Sequence, residues 1–240
     1  MIVRARSRPS VAVLSFPGSN GDSDAVFAFQ DQLGLPTRLV DYRETSLDGF
    51  SAVVLPGGFS YGDYLRSGAI ARFAPVMTPL REFAGGGGPV LGICNGFQVL
   101  AEAHLLPGAL LRNRTLRFHC HWTHVRIEQT GTAWTNMLAN GDVLRLPVAH
   151  GDGSYFADRE TLDRLEDSGR VVARYVTAAG ELSDEANANG SVNAIAAIAN
   201  DRGNVVGLMP HPERAADPLV GGEDGLSILR SLLAYLDVPA

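Results

Sequence analysis

Lysine is absent: all 20 basic residues of the chain are arginine. That excludes a Schiff-base lysine, a pyridoxal phosphate anchor and the lysine of a Walker phosphate loop. Cysteine is scarce. Cys94 and Cys120 are too few for a disulfide framework in 240 residues, which points to a reducing, cytoplasmic setting. No apolar run is long enough to span a membrane. Residues 1–9 carry Arg4, Arg6 and Arg8 without an apolar core, so they read as a frayed tail and not as a signal peptide. Excess positive charge is also missing. The net charge of -6 argues against a nucleic-acid surface.

What remains is ordinary globular material, 45% hydrophobic and 19% charged, enough for one α/β domain over residues 10–240. Residues 11–16, 52–55 and 89–93 are apolar runs that read as buried strands, and residues 37–41 read as a further strand. Residues 22–33 and two short segments within 67–84, cut by Pro75 and Pro79, read as helices between them. Strand–helix–strand order predicts parallel pairing and right-handed crossovers. Residues 116–128 and 142–148 alternate, as antiparallel strands do. Residues 170–176, 194–199 and 205–208 read as further strands, 158–167 as a charged surface helix and 224–236 as a closing amphipathic helix.

The chain is organised around Gly92-Ile93-Cys94-Asn95-Gly96-Phe97-Gln98. A strand runs into Cys94 and a helical pattern leaves it, with glycine two residues away on each side. This is the pattern of a nucleophile elbow, with thiol in place of hydroxyl. The following helix points its free N–H groups and positive end at the sulfur, the arrangement that activates a thiol as nucleophile. The plain alternative is a small core cysteine.

A thiol nucleophile needs a base and a group that orients the base. His211-Pro212-Glu213 follows a strand end, and in an extended segment residues two apart face the same way. His211 and Glu213 are therefore expected to turn together toward Cys94; otherwise both are solvated on a surface loop. Gly57 and Gly58 follow the third strand. A side-chain-free N–H there, paired with the N–H of Asn95, would form an oxyanion hole, although a tight turn also needs glycine. His150-Gly151-Asp152-Gly153 is a polar loop that could hold a substrate or be a plain turn. His119, Cys120, His121 and His124 invite a metal reading. On a strand, however, His119 and His121 share one face and Cys120 the other, so no metal site is expected.

Together these motifs resemble the class I, triad-type glutamine amidotransferases. Residues 16–20, 55–66, 92–98, 106–110, 189–191 and 209–214 resemble more specifically the glutaminase subunits of phosphoribosylformylglycinamidine synthases. The matched blocks run from about residue 10 to the final helix, nearly the whole chain. Gly21 and Ala188 depart from the pattern, where cysteine and proline are expected. The resemblance implies a flavodoxin-like, three-layer α/β fold: a mostly parallel sheet, flanking helices and an added antiparallel strand group. It implies that Cys94 attacks the side-chain amide of L-glutamine, that Gly58 and Asn95 hold the oxyanion, and that His211, oriented by Glu213, moves the proton. Gln98 and the His150 loop would hold the substrate. It further implies a large synthetase subunit, which binds ATP, magnesium and formylglycinamide ribonucleotide, and a small bridging subunit. This chain itself would bind no cofactor. A cysteine hydrolase or peptidase, in which histidine usually follows the cysteine closely in sequence whereas Asn95 follows Cys94 here, and a redox sensor, which needs an exposed thiol, are the competing readings.

Overall fold

A computed structural model describes residues 8–237; residues 1–7 of the expected tail lie outside the described residues. Every residue of β3 (Ala52–Leu55) and β4 (Val90–Ile93), and all but the last of β1 (Val11–Ser15), is buried, as their unbroken apolar runs require. With β2 (Thr37–Asp41) they pair in parallel, in the order β2-β1-β3-β4. The crossovers carry α1 (Asp22–Phe27), which widens into one π-helical turn over Ala28–Gln32, and α2 (Met77–Gly85). Pro75 separates α2 from a short 3₁₀ turn, Ala71–Phe73. Pro79 is tolerated because it lies in the first turn of α2, where an N–H has no helical partner.

After β4 comes α3 (Asn95–Glu102), then β5 (Ala109–Leu111), β6 (His119–Ile127), β7 (Val143–His150) and β8 (Ser154–Phe156). Next are α4 (Arg159–Asp167), β9 (Val171–Val176), β10 (Ile195–Ala199), β11 (Val205–Leu208) and α5 (Asp224–Tyr235). The charged helix α4 begins where the Asp158 carboxylate accepts the N–H of Thr161 at 2.8 Å.

β11 pairs in parallel with β4, and from there the same sheet continues antiparallel through β10, β9, β6 and β7, nine strands in all. The antiparallel group is thus an extension of the main sheet. β5 and β8 form a separate antiparallel pair, too short for period-two alternation to reveal in the sequence. No helix among the described residues is long and apolar enough to cross a membrane.

Candidate active site

Cys94 sits between β4 and α3 with φ 49° and ψ −104°, a strained conformation for a residue with a side chain. Its neighbours make the bend possible. A Cβ on Gly96 would run into the Leu55 carbonyl, and one on Gly92 would strike Leu100 and the Gly96 backbone. The residue is only 4% exposed, and Sγ faces the carbonyl oxygen of Ala149 at 3.7 Å. A sensor thiol open to oxidants does not fit that burial.

His211 follows β11 and is 1% exposed. Its N–H donates to the Pro147 carbonyl at 2.9 Å, which ties it to the free edge of β7. The segment after it differs from the extended one expected: Pro212–Arg214 is a single 3₁₀ turn with proline in its first position. The turn swings Glu213 back onto the imidazole, so Glu213 meets His211 and not the thiol. Nδ1 of His211 and Oε1 of Glu213 lie 2.6 Å apart, both buried. Nε2 is buried and makes no hydrogen bond within the chain, so it is the ring atom left for the sulfur. Burial alone would lower the His211 pKa, but the charges of Glu213 and Cys94 outweigh it and raise it to about 10. The pair therefore favours imidazolium, a proton donor.

Gly57 lies between His211 and Cys94. A Cβ there would come within 2.7 Å of Cε1 of His211 and 3.6 Å of Cβ of Cys94. Gly58 has φ 153°, and its Cβ would meet the Gly18 carbonyl and Ser19 Cα at 2.7 Å. It pairs with Ser19 in an antiparallel bridge whose bonds come from the flanking residues, Asn20 N–H to Gly57 and Phe59 N–H to Gly18. In such a pair the Gly58 N–H points away from the bridge. Asn95 opens α3, so its N–H has no partner in the helix. Among the described residues neither N–H makes a backbone hydrogen bond.

The other expected substrate groups are engaged with the protein. Oε1 of Gln98 accepts from Nδ2 of Asn95 at 2.8 Å, and its Nε2 donates to the Asp152 carbonyl at 2.6 Å. The His150 ring is buried, and its Nδ1 is 3.1 Å from Oδ1 of Asn113. Burial, reinforced by His119 and His211, pushes the His150 pKa down to about 3, so the ring is neutral. Gln98 and His150 thus act on the loop at residues 150–153, fixing its backbone beside the elbow. Asn113 is fully buried and also accepts the N–H of Gly153 and donates to the His150 carbonyl. Nothing in the sequence marks it, because one asparagine between two arginines carries no signal. The Ala149 and Pro147 carbonyls were equally invisible, being backbone groups.

His119 and His121 do share a face, with ring centroids 5.5 Å apart, while Cys120 lines a cavity on the other side with Trp122. Among the described residues no group of three or more His, Cys, Asp or Glu is placed to hold a metal ion.

Comparison with known proteins places the chain in a family. Residues 8–221 match the CobB/CobQ-like glutamine amidotransferase domain. The chain is 60% identical over 223 residues to phosphoribosylformylglycinamidine synthase subunit PurQ of Thermomicrobium roseum, covering 93% of this chain and 94% of that one. It is 59% identical to the subunit of the same name from Rubrobacter xylanophilus, covering 93% and 97%. The solved structure of PurLQS from Thermotoga maritima contains a chain that superposes with a TM-score of 0.84 at 41% identity, covering 96% of this chain and all of that one. The chain belongs to the CobB/CobQ-like glutamine amidotransferases and, within them, to the PurQ subunits of phosphoribosylformylglycinamidine synthase.

Proposed function

We propose that this chain releases ammonia from L-glutamine at Cys94 and supplies it to a synthetase partner. Sγ attacks the side-chain amide carbon as its proton passes to Nε2 of His211. The developing oxyanion is met by the N–H groups of Gly58 and Asn95. Nε2 of His211 gives its proton to the departing nitrogen as the C–N bond breaks, leaving a thioester and free ammonia. His211, now neutral, takes a proton from a water that attacks the thioester and returns it to the departing sulfur, which yields glutamate and restores the thiol. Glu213 orients the ring throughout.

One observation carries this reading. The imidazole and the thiol meet across Gly57, where only hydrogen fits, while Glu213 holds the far side of the ring at 2.6 Å. The partner follows from the relatives. The Thermotoga maritima structure is a PurLQS assembly, and the relatives are named as synthase subunits. We assign ATP, magnesium and formylglycinamide ribonucleotide to a large PurL-type subunit, with a small PurS-type subunit bridging the two. The absence of lysine here suits that division.

The test is Cys94→Ala in the assembled enzyme. Glutamine-dependent formation of formylglycinamidine ribonucleotide should vanish, while amidation driven by added ammonium salt continues. Loss of both would mean that Cys94 serves assembly and not chemistry. Trapping a glutamyl thioester on the native chain, and not on the variant, completes the assay.

A further inference from the structure

His150 and Tyr175 line one cavity of about 10 Å³ in the antiparallel half, walled by β6, β7, β9 and residues 186–189. Each is 3% exposed, and among the described residues Nε2 of His150 and the Tyr175 hydroxyl make no hydrogen bond. Their roles are complementary. Nδ2 of Asn113 donates to the carbonyls of Arg117 and His150, so its Oδ1 accepts, taking the N–H of Gly153 and that of His150 Nδ1. The neutral His150 ring is thereby fixed with its lone pair on Nε2. Burial pushes the Tyr175 pKa up, and the charge of Cys94 adds to it, so the hydroxyl keeps its proton. Asn189 beside it is committed elsewhere, with Nδ2 donating to the Gly153 carbonyl at 2.9 Å and Oδ1 accepting the N–H of Ser191 at 3.1 Å. A buried donor and a buried acceptor thus share one cavity, and leaving both unpaired is unfavourable.

We propose that this cavity is a site for one water molecule, which accepts from Tyr175 and donates to Nε2 of His150, and that Tyr175 is through it a positioning residue for the substrate loop. The inference rests on the glutaminase reading above and adds a residue outside the triad. Size selects the ligand. A water needs roughly 10–15 Å³ of such space, and the backbone groups of an amino acid need far more. The ring passes the constraint on directly. Only hydrogen fits between Gly153 and the His150 ring, so the Gly153 backbone must follow wherever the ring stands. At the start of the same loop, the Ala149 carbonyl faces Sγ of Cys94 at 3.7 Å. A water that holds the ring therefore holds the loop beside the thiol. The way in passes His121, which is exposed at the edge of the cavity.

The test is Tyr175→Phe, which removes only the hydroxyl, in the assembled synthase. KM for glutamine should rise about three- to tenfold, the worth of one neutral hydrogen bond, with kcat within about twofold of native. Amidation from added ammonium salt should be unchanged. His150→Asn keeps a donor for Asn113 but lacks the group at Nε2. In that background, Tyr175→Phe should raise KM no further than about twofold, because the partner it acts through is gone. Crystals of the native chain should show the water between Oη of Tyr175 and Nε2 of His150, and crystals of Tyr175→Phe should lack it. No water in the native density, an unmoved KM, or additive KM changes in the double variant overturns the proposal. So does a fall in kcat as large as that in kcat/KM, which would make Tyr175 part of the chemistry. If the native complex makes no glutamate, the glutaminase reading fails, and the density still decides the water.

Discussion

The two halves of the sheet do different work. In the parallel half, the strands that carry the site are buried at almost every position. Each fully buried valine or leucine there contributes ~1.5–3 kcal/mol, so the ends of β3 and β4 are held firmly. From those ends come Cys94 and the N–H groups of Gly58 and Asn95. In the antiparallel half, β6 and β7 are buried only at alternate positions and present two faces, one with His119 and His121, the other with Cys120 and Trp122. From that half come carbonyls, a cavity and a loop. The difference teaches that atoms requiring fixed positions during bond-making are mounted on the stiffer half. The β6–β7 end, with one face open, is where the residue 150–153 loop begins. His211 joins them, following the parallel pairing of β11 yet tied to the edge of β7 through Pro147.

The sharpest way to break this comparison is to disturb the stiff half by one methyl group. Gly58→Ala places a Cβ 2.7 Å from two backbone atoms at a left-handed φ, so the backbone must shift and carry its N–H out of place. Glutamine-dependent kcat should fall by about 10²–10³-fold, the effect of losing one oxyanion donor. Ammonia-dependent synthesis should be untouched. A milder result would mean that the N–H of Asn95 suffices alone.

A second substitution probes the junction. Glu213→Gln keeps the shape around His211 but removes the carboxylate charge that raises its pKa. Glutamine-dependent kcat should fall by about 10²-fold, the lower end of what a positioned acid–base group contributes. Stability should also lose a pH dependence. In the native chain the His211 pKa rises from 6.5 to about 10 on folding. Its contribution is complete below about pH 6.5 and is lost as the pH climbs toward 10. Urea midpoints of native and variant chains should therefore differ most in mild acid and converge in alkali. A constant difference would show that Glu213 does not hold the imidazole proton.

The same contrast explains what could be read from the sequence. Unbroken apolar runs announced β1, β3 and β4, and alternation announced β6 and β7, because burial on one or two faces leaves a period in the residues. Cys94, Gly57, Gly58 and His211 were legible because each needs a rare side chain, or none, at a strand end. The 3₁₀ turn at Pro212–Arg214 was not, since a histidine and a glutamate two apart fit either an extended segment or a turn. Gln98 and the His150 loop are expected to help hold the substrate. The fold also engages Asn95, Asp152 and Asn113 with them, and the pairings to Asp152 and Asn113 are long-range contacts that no local pattern encodes. The cavity shared by His150 and Tyr175 draws on β6, β7, β9 and residues 186–189, segments far apart in sequence and visible together only once folded.

The smallest expected effect lies in the outward half. His150 is neutral in the fold, with a pKa near 3 against 6.5 when unfolded, burial being the main cause. Above about pH 6.5 neither state is charged and its contribution is complete. As the pH falls from 6.5 toward 3, the unfolded chain takes up a proton that the folded chain refuses. Stability then declines by at most ~1.4 kcal/mol per pH unit. Below about pH 3 both states are charged and the loss stops. The groups that face the ring, His119 at 6.0 Å between centroids and His211 beyond it, act in the same direction. His150→Gln offers Asn113 an uncharged partner and should flatten this acid limb, so that native and variant urea midpoints draw together from pH 6.5 to pH 3. The comparison between halves requires that kcat change far less than in Gly58→Ala, because His150 fixes a loop and does not touch the reacting atoms. A kcat loss as deep as that of Gly58→Ala would place His150 in the chemistry, and the division between the stiff and outward halves would fail there.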